Sequence, residues 1–205
     1  MGVYLTYLAN QREDAAGTRT PDENYAREVM QLMSIGIYRL NLDGSIQTDS
    51  AGQPIPAYTD DDIRGLAKVL TGLRWYHPNP TDATFRGGSR NVDSFVRPMI
   101  AYNNFHSFGE KRFLGTVIPA STAATADTMG DLRIALDTLA NHPNVGPFMA
   151  TRLIQQFVTS NPSPQYVERV ARVFNDNGRG QRGDMGAVIR AVLTDAEART
   201  APAAD

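Results

Sequence analysis

Residues 21–35 decide the fold of this chain, and they read PDENYAREVMQLMSI. A proline followed by two acidic residues is typical of the first turn of an α-helix, because proline lacks the amide hydrogen that this turn leaves unpaired and acids complement the positive helix end. Apolar side chains then recur three and four positions apart, which predicts an amphipathic helix that ends near Gly36. Its predicted apolar face contains Tyr25, Val29, Leu32 and Met33, with Ala26 and Met30 on the neighbouring row.

The opposite side of this helix carries an unusual polar stripe. Asn24, Glu28 and Gln31 follow one another at helical spacing, and Arg27 lies beside them. Residues three or four positions apart are neighbours on a helix surface, so these side chains form one contiguous strip. One interpretation is a hydrogen-bonded network that locks the helix onto its neighbours, since buried polar groups need partners. The other interpretation is a functional site in which the strip binds a ligand.

The composition describes a globular chain with little net charge. It has 205 residues, of which 41% are hydrophobic, with 20 basic and 22 acidic residues interleaved along the chain. No sustained basic surface is therefore expected for the phosphate contacts that dominate nucleic-acid binding, and nucleic acid is not a predicted partner. The lack of cysteine excludes disulfides, thiolate nucleophiles and zinc–thiolate sites. No membrane span and no signal peptide are expected in this stretch, and the localisation is left open.

The first half of the chain is predicted to be a helix pair over residues 21–73 with a β-hairpin or long ordered loop inserted at 38–58. The insertion alternates short apolar pieces with turn-forming residues. Thr59 then precedes three aspartates, Asp60 to Asp62, and a helical pattern that continues to about Leu73. Because threonine is a preferred N-cap and acids are common in a first turn, we interpret the aspartates mainly as helix-cap chemistry, with metal binding as the alternative.

Residues 74–119 are the least regular part of the sequence, and a linker of small residues extends this region to 127. The aromatic residues in it are Trp75, Tyr76, Phe85, Phe95, Tyr102, Phe105, Phe108 and Phe113. So long a loop is uncommon in a compact domain unless it is functional or packs on itself. We expect these aromatics either to line a ligand cleft, with Trp75, Tyr76 and Tyr102 as binding residues, or to form a small core of their own.

Residues 128–198 return to helical periodicity and predict a bundle. Helices are expected over 129–140 and 146–158, then from a cap at Ser163 to Phe174, and lastly after a cap at Asp184. Short connections favour antiparallel neighbours. The predicted fold class is therefore all-α, a bundle of about six helices in a single domain over residues 1–198, followed by a disordered tail at 199–205.

Four segments, in order, resemble the bacterial domain-of-unknown-function family 1800. They read PDENYAREVMQL (21–32), DIRGLAKVLTG (62–72), HSFGEKRFLG (106–115), and HP (142–143) with ATRLIQQFV (150–158). Family members are typically longer, with a helical N-terminal half that has no counterpart here and in which an export signal would lie. The resemblance therefore implies that this chain is the C-terminal part of an exported bacterial protein, and it implies no particular activity.

The candidate chemistry follows from residue types. Glu28 is the leading catalytic candidate, because a carboxylate on a largely apolar helix is expected to be partly buried and suited to general acid or base work. His106 is the second candidate, and Asp61 would supply a partner carboxylate, since two carboxylates across a cleft are the minimal apparatus of glycoside hydrolysis. A carboxylate, a histidine and an acid would equally suit a divalent metal; no cofactor and no metal ligands are predicted, and this alternative stays open.

Two functions of different class remain open at this level. In the first, the chain is a hydrolase acting on a polysaccharide or cell-wall substrate, with Glu28 as general acid/base and the aromatic region gripping the substrate. In the second, it is a non-catalytic binding or assembly module of an exported protein, with exposed aromatics of residues 75–113 as its contact surface. A Ser-His-Asp triad is not predicted, because the sequence has no Gly-x-Ser-x-Gly elbow.

Overall fold

The structure is a computed structural model, and it describes residues 2–87 and 92–200. Five residues of the tail predicted at 199–205 lie outside the described residues. The chain divides into two compact units, the first formed by Met1–Val29 with Tyr58–Thr138 and the second by Met30–Ala57 with Leu139–Asp205. That the two units make up one domain stays a prediction.

Helices dominate the described part of the chain, which confirms a mainly helical fold. They are α1 (Gly2–Leu8), α2 (Asn24–Glu28), α3 (Asp60–Val69), α4 (Asp82–Gly87), α5 (Thr128–Ala140), α6 (Val145–Phe157), α7 (Pro164–Asn175) and α8 (Met185–Thr194). Shorter helical segments are a π-helix at Val29–Ser34 and 3-10 turns at Val92–Phe95, Asn103–Phe105 and Glu197–Arg199. The strict all-α class is not exact, because β1 (Leu73–Arg74) pairs with β2 (Ile100–Ala101) and β3 (Lys111–Phe113) pairs with β4 (Thr116–Ile118), both antiparallel.

The start of the predicted helix over residues 21–35 differs from expectation. α2 begins at Asn24, so Pro21 and the two acids after it precede the helix and do not form its first turn. Asp22 instead accepts a hydrogen bond from the backbone N–H of Tyr25 at 3.4 Å. Acidic groups before the helix still complement the positive charge at its start, and this is the electrostatic reason for which the sequence predicted a helix here.

The second half of the same helix is π-helical from Val29 onward. Hydrogen bonds to the fifth residue back widen each turn, so side chains leave the positions that α-helical spacing gives them. Met30 is accordingly fully buried, whereas Leu32 and Met33 are 56% and 55% exposed. The prediction that Leu32 and Met33 belong to the core face is therefore wrong.

In the first unit α3 packs on α2 and on β3. Its predicted cap is confirmed: Thr59 Oγ1 accepts the backbone N–H of Asp62 at 3.3 Å, and the Asp62 carboxylate accepts the backbone N–H of Thr59 at 2.7 Å. Asp62 Oδ1 also accepts the backbone N–H of Leu114, in the β3–β4 turn, at 2.6 Å. Burial raises the pKa of Asp62, but the hydrogen bonds from Thr59 and Leu114 outweigh burial and leave that pKa below its ordinary value.

The β3–β4 hairpin lies very close to α3. Lys111 is opposite Ile118, and the turn residues Leu114 and Gly115 have φ angles of 49° and 80°, as two-residue hairpin turns require. A Cβ atom at Gly65 of α3 would lie 1.7 Å from the carbonyl oxygen of Arg112 in β3. Only glycine permits this approach of helix to strand.

The region predicted as an irregular loop over 74–119 is only partly irregular, since it contains α4, β2 and the β3–β4 hairpin. Strands of two or three residues are too short to show a periodic pattern. Phe85, Tyr102 and Phe105 form a buried cluster in which the rings of Phe85 and Phe105 stack with centroids 3.9 Å apart. These aromatics therefore form a small core of their own, as one of the two interpretations predicted.

In the second unit α6, α7 and α8 pack together. The predicted caps are confirmed, because Ser163 Oγ accepts the backbone N–H of Tyr166 at 3.1 Å and Asp184 Oδ1 accepts that of Ala187 at 3.0 Å. The segment predicted as a hairpin or ordered loop at 38–58 has isolated antiparallel bridges that pair Tyr38 with Pro56, Leu40 with Ile46 and Thr48 with Pro54.

The buried side chain of Asn144, just before α6, holds this bridged segment in place. Its amide nitrogen donates to the carbonyl oxygens of Ile35 at 2.8 Å and Tyr38 at 2.7 Å, while its oxygen accepts the backbone N–H of Leu40 at 3.0 Å. The backbone N–H of Asn144 donates to Nδ1 of His142 at 3.2 Å. That bond requires an unprotonated Nδ1.

We expect His142 to make the stability of the chain depend on pH. Burial lowers the pKa of His142, and the nearby Arg39 and Arg182 lower it further. The unfolded chain, with a histidine pKa of about 6.5, therefore takes up a proton first, so stability is lost as the pH falls below that value. In His142→Asn, whose side-chain oxygen can still accept the Asn144 N–H, the loss between pH 7 and pH 5 should be smaller in urea unfolding followed by far-UV circular dichroism. Parallel pH profiles for the two proteins would contradict this assignment.

Candidate functional site

Five polar residues of the first unit meet in its interior, and we call them the buried polar cluster. They are Thr71 after α3, His106 and Ser107 after a 3-10 turn, Lys111 in β3 and Asp131 in α5. Thr71, His106, Ser107 and Lys111 are completely buried, and the Asp131 side chain is 14% exposed. A cationic side chain so completely buried is rare unless it is paired.

Both ring nitrogens of His106 have hydrogen-bond partners. Nδ1 lies 3.0 Å from the carbonyl oxygen of Thr71 and 3.3 Å from its hydroxyl oxygen. That hydroxyl donates its only hydrogen to the carbonyl of Lys68 at 2.6 Å, so both partners of Nδ1 are acceptors and Nδ1 carries a hydrogen. Nε2 lies 2.9 Å from Oδ2 of Asp131, so the second ring nitrogen is also hydrogen-bonded inside the protein.

Lys111 completes the cluster. Its Nζ lies 2.9 Å from the same Oδ2 of Asp131 and donates to the carbonyl of Gly109 at 3.3 Å. Asp131 is therefore the shared partner of two buried basic groups. Both ring nitrogens of His106 have hydrogen-bond partners inside the protein. The cluster is therefore arranged to fix the positions of its charged side chains.

A cleft of 190 Å³ adjoins the cluster in the same unit, and we call it the Glu13 cleft. Its lining residues are Glu13, Thr20, Pro21, Glu23, Arg64, Ala67 and Lys68. The hydroxyl of Ser107 donates to the Glu13 carboxylate, with oxygen–oxygen distances of 2.8 and 3.0 Å. Gly109 makes room for this arrangement, because a Cβ there would lie 2.9 Å from Glu13 Oε1 and 3.5 Å from Lys68 Nζ. Glu13 thus connects the cleft with the buried polar cluster.

The three predicted catalytic residues do not come together. Glu28 is half-buried at the end of α2 near Tyr58, whose pKa is raised first by burial and in part by the Glu28 carboxylate. His106 is buried among the partners just described, and neither residue lines the Glu13 cleft. Asp61 is 87% exposed and pairs with Arg64 at 2.6 Å on the surface of α3. Their catalytic roles stay predictions.

The predicted polar stripe is also divided. Asn24 donates to the hydroxyl of Tyr4 at 3.1 Å, and Arg27 lies 4.0 Å from Glu23 and 3.9 Å from Asp60, at the limit of ion pairing. Gln31 is half-buried in the π-helical segment and belongs to the second unit. Spacing of three and four along an ideal α-helix predicted one strip, and the change to π-helix removes that spacing.

The three predicted binding aromatics do surround a common space. Trp75, Tyr76 and Tyr102 line a cavity of 10 Å³ together with Arg74, His77, Thr84 and Ser94. This volume is about that of one water molecule. As observed, the cavity is too small for a sugar ring, and a binding role for these aromatics stays a prediction.

Sequence reasoning missed Glu13, Lys68, Ser107, Lys111 and Asp131. One signal was available: Lys68 and Lys111 are the two lysines of the chain, all other basic residues being arginine. Lysine offers a compact ammonium with three donors, which suits a tight buried position that a planar guanidinium does not fit. Lys111 occupies such a position, whereas Lys68 is only partly buried.

Two general properties of the described residues bear on the site. No group of three or more histidine, aspartate or glutamate side chains is arranged to hold a metal ion within residues 2–87 and 92–200. In the same part of the chain, every helix is too short or too polar to cross a membrane.

The comparisons with known proteins identify a family for this chain. The family model described as "Protein of unknown function (DUF1800)" covers residues 1–205, the whole chain. No curated protein and no solved structure matches. Two of the four motifs that carried the resemblance, residues 62–72 and 106–115, contribute Lys68, Thr71, His106, Ser107 and Lys111 to the arrangement described above. The chain belongs to the DUF1800 family.

Proposed function

We propose that this chain is a hydrolase that cleaves glycosidic bonds in a polysaccharide or cell-wall glycan, with Glu13 as general acid/base. One observation carries the proposal: Glu13 lines an open cleft while a fully buried hydroxyl, that of Ser107, fixes its carboxylate. A carboxylate must be held in one orientation at the substrate to transfer a proton efficiently. Thr71 of the buried polar cluster positions Ser107, because the backbone N–H of Ser107 donates to the hydroxyl of Thr71 at 2.8 Å.

The Glu13 cleft supplies the further groups that this chemistry requires. Glu23 is a second carboxylate on the same cleft, and Arg64 and Lys68 are donors for sugar hydroxyls. In the reaction the glycosidic carbon–oxygen bond breaks, Glu13 gives its proton to the leaving oxygen, and water, activated by Glu23, supplies the hydroxyl group to the anomeric carbon. The proton that Glu23 takes from the water then returns through solvent to Glu13, so atoms and charges balance and both groups regain their starting forms.

The size of the cleft indicates which part of a glycan chain it binds. Pockets for drug-sized ligands span about 300–1,000 Å³. The volume of the Glu13 cleft, 190 Å³, is below this range. A cleft of this size favours binding of one terminal sugar unit of a chain. Glu13 is a better acid/base candidate than Glu28 here, because it has both the cleft and the fixed orientation.

The test is a screen of purified protein against polysaccharides and peptidoglycan, with release of reducing ends as the readout. We expect Glu13→Gln to lower the rate by about 100-fold or more, since a positioned acid/base contributes about 10²–10⁴-fold. Glu110→Gln is the matched control, because this exposed glutamate of the same unit pairs with Arg112 and does not line the cleft. It should keep the wild-type rate.

Three outcomes would overturn the proposal. An activity lost in Glu28→Gln but kept in Glu13→Gln would return the acid/base role to Glu28. Equal loss in Glu13→Gln and Glu110→Gln would show a general effect of lost charge. Binding of a glycan without any release of reducing ends would favour the alternative, a non-catalytic binding module. That alternative cannot use Phe85, Tyr102, Phe105 or Phe113 as its contact surface, because these four aromatics are buried.

A further inference from the structure

The second unit has a cleft of its own, with a volume of 450 Å³, which we call the Arg182 cleft. Its lining residues are Leu40, Asn41, Leu42, Gln47, Asn141, Pro143, Pro147, Asn175 and Arg182. Among these described residues Arg182 alone is charged, and four others carry side-chain amides. The volume lies within the range of about 300–1,000 Å³ that is usual for small-molecule sites.

Arg182 is held rigidly by neutral acceptors. Its Nε donates to the carbonyl of Ala140 at 3.0 Å, its Nη2 to the carbonyl of His142 at 3.0 Å, and its Nη1 to the side-chain oxygen of Asn175. The guanidinium also lies 5.1 Å from the centre of the Phe174 ring. A guanidinium has five N–H donors, so these three bonds leave one on each terminal nitrogen.

The positive charge of Arg182 has no acidic partner within ion-pair distance in the described part of the chain. Burial lowers the pKa of Arg182, and the charge persists because arginine stays protonated in proteins. Arg39 adds a second positive charge nearby, since both arginines act on His142. An uncompensated and partly buried charge is unfavourable. An anion that enters the cleft is therefore attracted to the Arg182 guanidinium, and no acidic side chain among the lining residues competes with it.

The amide groups suggest what accompanies the anion. Gln47 Nε2 donates to the carbonyl of Leu40 at 2.8 Å, and Asn41 Nδ2 donates to the hydroxyl of Ser45 at 2.9 Å. These bonds fix the two amide groups and leave their oxygens as acceptors. Fixed amide acceptors beside a guanidinium suit a molecule that carries both hydroxyl groups and an oxyanion.

We propose that the Arg182 cleft binds an acidic sugar, with the carboxylate of a uronate on the two remaining N–H groups of Arg182 and its hydroxyls on the amides. Carboxylate and phosphate share the chemistry that an arginine fork recognises, and the hydroxyl-binding amides select the uronate. The proposal rests on Arg182 and its neighbours, and it is independent of the role proposed for Glu13.

The test is isothermal titration calorimetry of the full chain with D-galacturonate, with D-galactose as the neutral counterpart and with inorganic phosphate. Two variants probe the site: Arg182→Lys keeps the charge but loses the fork, and Gln47→Glu adds a negative charge to the cleft. Arg179→Gln is the matched control, since this exposed arginine on the same loop lines a different cleft.

We expect galacturonate to bind the wild type and the Arg179→Gln control equally, and galactose to give no measurable heat. Each of the two site variants should weaken galacturonate binding by at least about tenfold, the order expected for one charge-assisted hydrogen bond. Should Arg182→Lys fail to fold, Gln47→Glu alone carries the test. The proposal is overturned by equal binding of galactose and galacturonate, by binding of phosphate alone, by no binding of any of the three, or by unchanged affinity in Gln47→Glu.

Discussion

Replacing Asp131 with asparagine is expected to lower the free energy of unfolding of the first unit by about 3–5 kcal/mol, because it removes the shared partner of two buried basic groups. Lys111 is completely buried, and its ammonium lies 2.9 Å from Asp131 Oδ2. His106 Nε2 meets the same oxygen at 2.9 Å. Without the carboxylate, Lys111 has only neutral acceptors, the carbonyl of Gly109 at 3.3 Å and the amide oxygen of the substituted side chain.

The chain provides its own probe for this measurement. Trp75 is its single tryptophan and belongs to the first unit, so urea unfolding followed by Trp75 fluorescence reports on that unit. Arg133→Gln, an exposed change on the same helix α5, is the matched control and should alter stability by no more than about 0.5 kcal/mol.

A double variant separates the loss of the pair from the burial of the lone cation. Adding Lys111→Met to Asp131→Asn removes the uncompensated ammonium while keeping an apolar chain of similar length. Part of the lost stability should therefore return, as when buried ion pairs are replaced by apolar residues. If Asp131→Asn is no less stable than Arg133→Gln, the cluster does not hold the charges described here.

The parts of the fold that could be predicted from sequence are the long, capped helices. Ser163 and Asp184 are N-cap residues directly before apolar periodicity, and Thr59 with Asp62 forms a local capping box. Such signals lie within a few residues of one another, so a single sequence contains them completely. The same reasoning failed at Val29, because the choice between α- and π-helical hydrogen bonding depends on packing.

The candidate site could not be predicted because its residues lie far apart in the sequence. Ser107 and Glu13 are 94 positions apart, and Asp131 is 25 positions from His106. Glu13 lies in a polar segment without periodicity, and Lys111 lies in a strand of three residues. Contacts of this kind depend on how α3, β3 and α5 come together, which spacing along the chain does not encode.

Gly65→Ala is expected to destabilise the first unit by at least about 3 kcal/mol, the upper end of the usual range for overpacking. The added Cβ would lie 1.7 Å from the carbonyl oxygen of Arg112, 2.5 Å from its carbonyl carbon and 3.1 Å from its nitrogen. All three are backbone atoms, so no side-chain rotation relieves the clash, and α3 must separate from β3. Because Asp62 of α3 also holds Leu114 in the hairpin turn, that separation strains a second contact.

The decisive measurement is whether Gly65→Ala raises or lowers the free energy of unfolding. Within a helix, alanine is more favourable than glycine by about 0.8–1.0 kcal/mol, so helix propensity alone predicts that Gly65→Ala stabilises α3. Gly87→Ala, at the end of α4, is the matched control, since a Cβ there has no atom of the described structure within 4 Å. Urea unfolding followed by Trp75 fluorescence should therefore show a large loss for Gly65→Ala and a change within about 0.5 kcal/mol for Gly87→Ala. A stabilised Gly65→Ala would mean that α3 does not approach β3 this closely, and the hairpin that carries Lys111 would then have to lie elsewhere.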